Sequence, residues 1–193
     1  MNKHRWFQKG LTENSIFDNK LNDFFKEFGV GKAMVLSSSQ NDKVTSRMIS
    51  IVQANGLFYF QTDNTFKKYG QLMYNPNVAL CINNIQIEGV CEEIGHPMKD
   101  ANFCNLYQEC FNSSFKKYSA LENERLFVIR PTYIKRWIYI DGVPNIETWD
   151  IEKEDYKLVE YVGQYGYFDK YERYVWKESF LPIVERLCIK YKL

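Results

Sequence analysis

The dipeptide Asn55-Gly56 lies between two runs of mostly apolar and β-branched residues, 44–54 and 57–61. Asn-Gly is typical of a two-residue hairpin turn, because the central positions of that turn need a positive φ. Each flanking run has the composition of a strand. This part of the chain therefore predicts an antiparallel β-hairpin, and so a fold that contains a β-sheet.

Turn residues recur at similar short intervals along the first 140 residues, and they predict further strands. The predicted strands cover residues 32–39, 77–83, 85–94, 125–130 and 133–140, with Pro131 between the last two. Six or seven antiparallel strands with helices between some of them are typical of a small closed barrel. We therefore predict one domain over residues 1–193, mainly β with helices (a β-barrel, α+β), with its core at 30–140.

Apolar residues at helical spacing predict the helical regions. These are 12–28, 65–74, 98–110, 113–120 and a helical C-terminal extension over 150–193 that contains a long helix at 171–192. Gly29 is expected to stop the first helix, and Pro76 to end the second, since proline disfavours helix at the residue before it. Pro182 is expected to kink or break the last helix.

Lys67 and Lys68 lie in the first turn of the helix predicted after the hairpin. The first turn of a helix carries free backbone N–H groups and the positive end of the helix dipole, so two lysines there are locally unfavourable. A bound anion reverses that effect, and phosphate is the natural anion for such a position. The pair therefore indicates a phosphate site at a strand-to-helix junction. The alternative is that both side chains are simply solvated.

The composition limits the classes of partner. The chain has 193 residues, 45% of them hydrophobic, which is enough for one substantial core. Its 25 Lys and Arg residues balance 24 Asp and Glu residues, so the formal net charge is +1. Proteins that grip nucleic acid carry a broad basic surface. We therefore expect no nucleic-acid partner, and any phosphate recognition must be local.

The cysteines, the histidines and the distribution of apolar residues indicate the compartment and bear on metal binding. Five cysteines at irregular spacing contain no C-x-x-C pair, which favours a reducing, cytoplasmic setting. No secretory signal and no long apolar run are found, so we expect no membrane partner. His4 and His96 are the only histidines, and neither has metal-site spacing, so no metal is predicted.

Several short segments, taken together in order and spacing, resemble the pyridoxamine 5′-phosphate oxidase-like family of FMN-binding split barrels. The segments are residues 31–37, 46–51, 56–62, 67–68, 71–72, 75–80 and 88–89. The resemblance covers roughly residues 30–140, and the joint match is more specific than any single segment. It implies an antiparallel split barrel that binds FMN.

The resemblance also implies roles for individual residues at the phosphate end of FMN. Arg47 and Lys68, with Lys67 beside it, occupy the positions that hold the phosphate in this family. Arginine suits that role because its planar fork can donate two hydrogen bonds to one phosphate. The alternative for Arg47 is a surface strand residue paired with a carboxylate.

At the flavin ring the resemblance implies mostly backbone contacts. Met48, Ile49 and Ser50 would lie along the isoalloxazine, and Gln61 and Thr62 would approach it from the end of the next strand. A further sequence position, Asn84, matches a glutamine that reaches the flavin in the oxidases, although Gln86 competes for that role and an Asn83-Asn84 turn is an alternative. Trp137 and Trp149 could stack on the flavin, but core packing is the more common role of tryptophan.

The chain departs from true pyridoxamine phosphate oxidases near its C-terminal end. Those enzymes grip their substrate with an arginine-histidine pair, and no histidine follows His96 here. The resemblance is therefore nearer to the general stress protein and nitroimidazole-reductase-like group. It implies an FMN-dependent oxidoreductase that acts on an unknown small molecule, with a small-molecule substrate or a nicotinamide donor as partner, and a homodimer with FMN at the interface.

Two other functions remain open from the sequence. One is a non-catalytic flavin-binding or redox-sensing protein. The other keeps the fold and changes the ligand to haem or to a deazaflavin. Only His4 and His96 could serve as axial haem ligands, and neither lies in a motif.

Overall fold

The computed structural model describes residues 15–191, and residues 31–140 contain the six antiparallel strands of a closed barrel. The strands are β1 (Gly31–Gln40), β2 (Lys43–Ala54), β3 (Leu57–Asp63), β4 (Asn77–Ile82), β5 (Ile85–Gly95) and β6 (Glu124–Ile140). They are hydrogen-bonded in the order β3-β2-β1-β4-β5-β6, and β3 also pairs with β6. This closure confirms the predicted barrel.

The predicted hairpin at Asn55-Gly56 is also confirmed, with φ angles of 51° and 77° at the two turn residues. The strands that it joins, however, pair only over Val52–Ala54 and Leu57–Tyr59. Beyond these residues β2 continues beside β1, whereas β3 continues beside β6. Residues 48–51 of β2 therefore have a strand partner on the β1 side only, and the barrel is split along this line.

Three helices belong to the barrel: α1 (Ile16–Phe28), α2 (Lys67–Tyr74) and α3 (Ala101–Tyr118). Ser15 caps the start of α1 by accepting a hydrogen bond from the N–H of Asp18, and the helix ends at Gly29 as predicted. Its aromatic face packs into the barrel core. α3 is continuous except at Phe111, whose non-helical backbone lies where the sequence predicted a break. Residues 12–14 of the first predicted helix lie outside the described residues.

Pro131 does not divide the sixth strand, which is a correction to the sequence prediction. β6 runs without interruption from Glu124 to Ile140. Its pairing with β3 ends at Ile129, so the β3 ladder does not need the N–H that proline lacks.

The prediction of a helical C-terminal extension over 150–193 is wrong for most of that segment. In the described part of the chain after β6, the strands are β7 (Val143–Asp150), β8 (Asp155–Glu160), β9 (Gly166–Phe168) and β10 (Tyr174–Trp176), and α4 (Leu181–Tyr191) is the one α-helix. Aromatic residues are good strand formers, so aromatic density does not by itself favour a helix. Asp169 accepts hydrogen bonds from the N–H groups of Tyr171 and Arg173, which fixes the turn between β9 and β10. Pro182 stands in the first turn of α4, where its fixed φ is well tolerated.

The chain divides into two compact units. The first runs to Ile134 and also contains Trp149–Tyr156; the second contains Lys135–Thr148 and begins again at Lys157. In the second unit, the hairpin of β6 and β7 carries an ion pair between Arg136 Nε and Glu147 Oε2 at 2.5 Å. The closed barrel and the candidate site lie in the first unit. Within residues 15–191, no helix is long and apolar enough to cross a membrane.

Candidate functional site

The N-terminal end of α2 carries both lysines without an acidic cap. The helix begins at Lys67, so Lys67 and Lys68 lie in its first turn as predicted. Phe66 precedes the helix and makes no capping hydrogen bond with its side chain, and the first turn contains no acidic residue. The nearby Asp63 accepts instead from the N–H and the hydroxyl of Thr65, both at 2.7 Å. This helix end therefore retains the positive dipole and two added positive charges.

Arg47 lies on β2 with its guanidinium held in a polar cluster. Nη1 donates to the Leu36 carbonyl at 3.2 Å and to Ser38 Oγ at 2.8 Å. Nη2 donates to Thr45 Oγ1 at 2.5 Å and to Gln71 Oε1 at 2.7 Å. The cluster thus joins β1, β2 and α2 around one guanidinium.

All four acceptors in the Arg47 cluster are neutral oxygens. Among the described residues, none of the hydrogen-bond partners of Arg47 is a carboxylate, which is the arrangement that the alternative interpretation required. Burial lowers the pKa of the guanidinium, which nevertheless stays charged. A half-buried positive charge without a counterion attracts an anion, and phosphate oxygens accept hydrogen bonds more strongly than neutral oxygens do. A phosphate that binds Arg47 must replace one or more of these acceptors.

Lys68 belongs to the same electrostatic site as Arg47. Burial is the main cause that lowers the pKa of the Lys68 ammonium, and the positive charge of Arg47 lowers it further. The carboxyl groups of Glu124 and Asp63 oppose these effects. The ammonium also lies 5.2 Å from the centre of the Phe66 ring. The positive charge of Arg47 thus acts on Lys68, and two cations within electrostatic range of each other favour a multivalent anion between them.

An open pocket of about 500 Å³ adjoins this cluster. Thr45 and Gln71, which bind Arg47, form part of its wall, and Lys67 and Lys43 add positive charge to it. The pocket therefore gives a ligand access to the cluster from solvent.

The residues predicted to follow the flavin ring have three different environments. The Met48 side chain is 62% exposed, whereas Ile49 is buried in the barrel core. Ser50 forms a side-chain hydrogen bond with Tyr107 of α3. All three lie where β2 has no strand partner on the β3 side. In this segment β2 therefore has an edge that β3 does not pair with.

The remaining predicted residues are placed as follows. Gln61 and Thr62 are buried at the end of β3, and Gln61 Oε1 accepts a hydrogen bond from Ser119 Oγ at 2.7 Å. Asn84 lies in the tight turn between β4 and β5, as the turn interpretation proposed. The amide of its competitor, Gln86, donates to Glu88 at 2.7 Å. The flavin contacts of these residues stay predictions.

The structure adds Glu124, which sequence patterns did not single out. It is the first residue of β6, and its side chain is buried near Lys68 and Asp63. In the sequence it is one glutamate among several charged residues before an apolar run, so only the strand register reveals its surroundings.

No family model and no curated protein matches the chain. Among solved structures, the pyridoxamine 5′-phosphate oxidase-related, FMN-binding protein from Nostoc punctiforme PCC 73102 is 12% identical, covers 77% of this chain and 94% of its own, and has a TM-score of 0.51. Campylobacter jejuni ChuZ is 10% identical, covers 72% of this chain and 62% of its own, and has a TM-score of 0.52. General Stress Protein 26 from Bacillus anthracis str. Sterne is 24% identical over 60% of this chain and 89% of its own, with a TM-score of 0.46.

The match to the Nostoc protein confirms the resemblance at the level of fold. The barrel described above is a fold that FMN-binding proteins related to pyridoxamine 5′-phosphate oxidase adopt. At 12% identity this match shows the fold and not the ligand or the activity.

Proposed function

We propose that this protein binds FMN, with Arg47 and Lys68 holding the phosphate, and that it acts as an FMN-dependent oxidoreductase on a small molecule. The observation that carries the proposal is the half-buried charge of Arg47, whose hydrogen-bond acceptors among the described residues are all neutral oxygens, within electrostatic range of Lys68 at an uncapped helix end. The fold supports it, because a solved FMN-binding protein adopts the same barrel.

The chain's own residues fit the phosphate group. Arg47 offers a fork of N–H donors, and Lys68 offers a compact ammonium at the start of α2, where the helix dipole is positive. Lys67, which is exposed at the pocket wall, adds charge from the solvent side. Charge-assisted hydrogen bonds of this kind contribute about 1.5–3 kcal/mol each.

The split between β2 and β3 fits the ring end of the ligand. Residues 48–51 present backbone groups along an edge that no strand covers, and the exposed Met48 side chain offers an apolar contact. When bound, the flavin supplies the hydride or electron chemistry, and the protein orients it and controls access to it. No residue of the chain needs to act as a nucleophile in this proposal.

Absorption spectroscopy with added FMN tests the proposal directly. The purified protein is stripped of ligand by mild denaturation and refolding, then titrated with FMN, and free ligand is removed by gel filtration. We expect retained absorption bands near roughly 370 and 450 nm, as for any protein-bound flavin. Bleaching of these bands by NADH or NADPH, and their return with an acceptor, would then establish turnover. A protein that holds FMN but is not reduced would support the non-catalytic alternative.

Parallel titrations with a deazaflavin and with haem give the outcome that contradicts FMN. A protein that ignores FMN and retains either of these would overturn the cofactor assignment. His96 already uses both ring nitrogens, with Nε2 in contact with the Leu121 carbonyl at 2.9 Å and Nδ1 accepting from the N–H of Met98 at 3.2 Å. Haem is therefore expected to bind weakly if at all through this residue.

We also propose that the protein forms a homodimer with FMN at the interface. Val44 and Met48 support this, since both are apolar, strongly exposed and carried by β2 close to the cluster. Sedimentation equilibrium should give twice the chain mass of 23.0 kDa, with one FMN per chain. A monomer that binds FMN stoichiometrically would contradict the dimer and leave the cofactor proposal standing.

A further inference from the structure

Glu124 is a buried carboxyl group with an unsatisfied oxygen. The residue is 6% exposed, and within residues 15–191 Oε2 has no hydrogen-bond partner. A buried carboxylate oxygen that accepts no hydrogen bond is costly, and the cost is removed by a donor or by a proton. No sequence motif assigns a role to Glu124, so its protonation behaviour is inferred from the groups that surround it.

The nearest source of repulsion is Asp63. The two residues face each other directly in the register of β3 and β6, and directly opposed side chains of an antiparallel pair lie on the same face of the sheet. Asp63 is held ionised, because the two hydrogen bonds from Thr65 are the main causes that lower its pKa. Glu124 is therefore the member of the pair whose pKa is raised by the charge of the other.

Charged and titratable groups face Glu124 from three elements. Asp63 comes from β3, Lys68 from α2 and Tyr107 from α3. Burial, and then Asp63, raise the pKa of Glu124 to about 7, while Lys68 works in the opposite direction. Lys68 is thus the only one of the three groups that stabilises the ionised form of Glu124.

We propose that Glu124 takes up a proton from solvent when a phosphorylated ligand binds at Lys68, so that this site binds its ligand together with a proton. A phosphate that pairs with Lys68 cancels the one charge that favours ionised Glu124, and it adds negative charge nearby. Both changes favour the neutral carboxyl group. The inference rests on the proposed function, since it uses the phosphate position assigned above.

The sign of the pH dependence follows from the two protonation states. Free Glu124 ionises near pH 7, and in the complex it ionises at a higher pH. Affinity is therefore greatest below the pKa of the free protein, and it declines as the pH rises from there to the pKa of the complex. If binding raises the pKa by one unit, the total loss is about tenfold. The phosphate of FMN has its own ionisation, so the contribution of Glu124 must be measured as a difference between variants.

Isothermal titration calorimetry with FMN, in two buffers of different ionisation enthalpy at pH 7, counts the protons taken up. The wild-type protein is compared with Glu124→Gln, in which the neutral amide imitates the protonated carboxyl group. Glu122→Gln is the matched control, because Glu122 is an exposed glutamate two residues away. We expect Glu124→Gln to bind FMN with fewer protons than the wild type and the control, and more tightly than either at pH values above about 8.

The outcomes separate this inference from the proposed function. FMN binding with the same proton count in all three proteins would overturn the role of Glu124 and leave the FMN proposal intact. No FMN binding to the wild type would overturn the proposed function, and the inference with it. Circular dichroism of the three proteins establishes that a lost signal does not reflect a lost fold.

Discussion

Replacing both Arg47 and Lys68 by alanine should weaken FMN binding by a factor of ten or more. Arg47 carries a half-buried charge that no carboxylate among its hydrogen-bond partners neutralises, and Lys68 lies beside it at the start of α2. The double substitution removes charge-assisted hydrogen bonds that contribute about 1.5–3 kcal/mol each, and about 1.4 kcal/mol corresponds to tenfold in affinity. Quenching of FMN fluorescence during titration gives the dissociation constant.

Riboflavin provides the sharpest comparison, because it lacks the phosphate group and keeps the ring. The double variant should lose affinity for FMN while its weaker affinity for riboflavin changes little. Lys116→Ala with Lys117→Ala is the matched control, since it removes the same number of positive charges from an exposed part of α3. Unchanged FMN affinity in the Arg47 and Lys68 double variant, or an equal loss of affinity in the control, would contradict the proposal that Arg47 and Lys68 bind the phosphate.

The predictable part of the fold depends on local chemistry. Asn55-Gly56 demands a positive φ at two consecutive positions, and the structure has it there. The placement of Lys67 and Lys68 could also be predicted, because the strand before them limits where the helix begins and Pro76 limits where it ends. Barrel closure could be anticipated from the number of predicted strands and from the family resemblance.

The C-terminal region could not be read in the same way. Its aromatic residues fit a helix and a strand about equally, and the choice is made by distant pairing partners and by turns. Strand β10 pairs with β9 across a turn that Asp169 organises, for example. No local sequence pattern predicts that Asp169 accepts hydrogen bonds from two backbone N–H groups in this turn.

The candidate site shows the same limit. Arg47 was selected from a resemblance, but the neutral oxygens that hold its guanidinium include those of Ser38 and Gln71, which come from β1 and α2. Glu124 was missed because its surroundings depend on a register with Asp63, from which 60 residues separate it in the chain. Electrostatic features of this kind exist only after the strands have paired.

Of the substitutions proposed here, Trp149→Ala should cause the largest decrease in the free energy of unfolding. This tryptophan is fully buried in the barrel core, with its ring 5.0 Å from that of Phe24 in α1 and 5.6 Å from that of Tyr156. These contacts confirm the core interpretation of Trp149. Trp149→Ala should lower the free energy of unfolding by about 3–5 kcal/mol, as buried aromatic truncations do. Urea unfolding followed by circular dichroism measures the change.

Trp176→Ala is the control for this prediction, because Trp176 is 42% exposed on β10. It removes the same atoms from a half-solvated position and should cost about 1 kcal/mol or less, as substitutions outside the core do. Since whole domains are stable by only about 5–15 kcal/mol, the difference between the two variants should be visible as a clear shift in the urea midpoint. Equal losses would mean that Trp149 does not hold α1 to the barrel. FMN binding by the folded fraction of Trp149→Ala should persist, because the acceptors that hold the Arg47 guanidinium come from β1, β2 and α2 and not from Trp149.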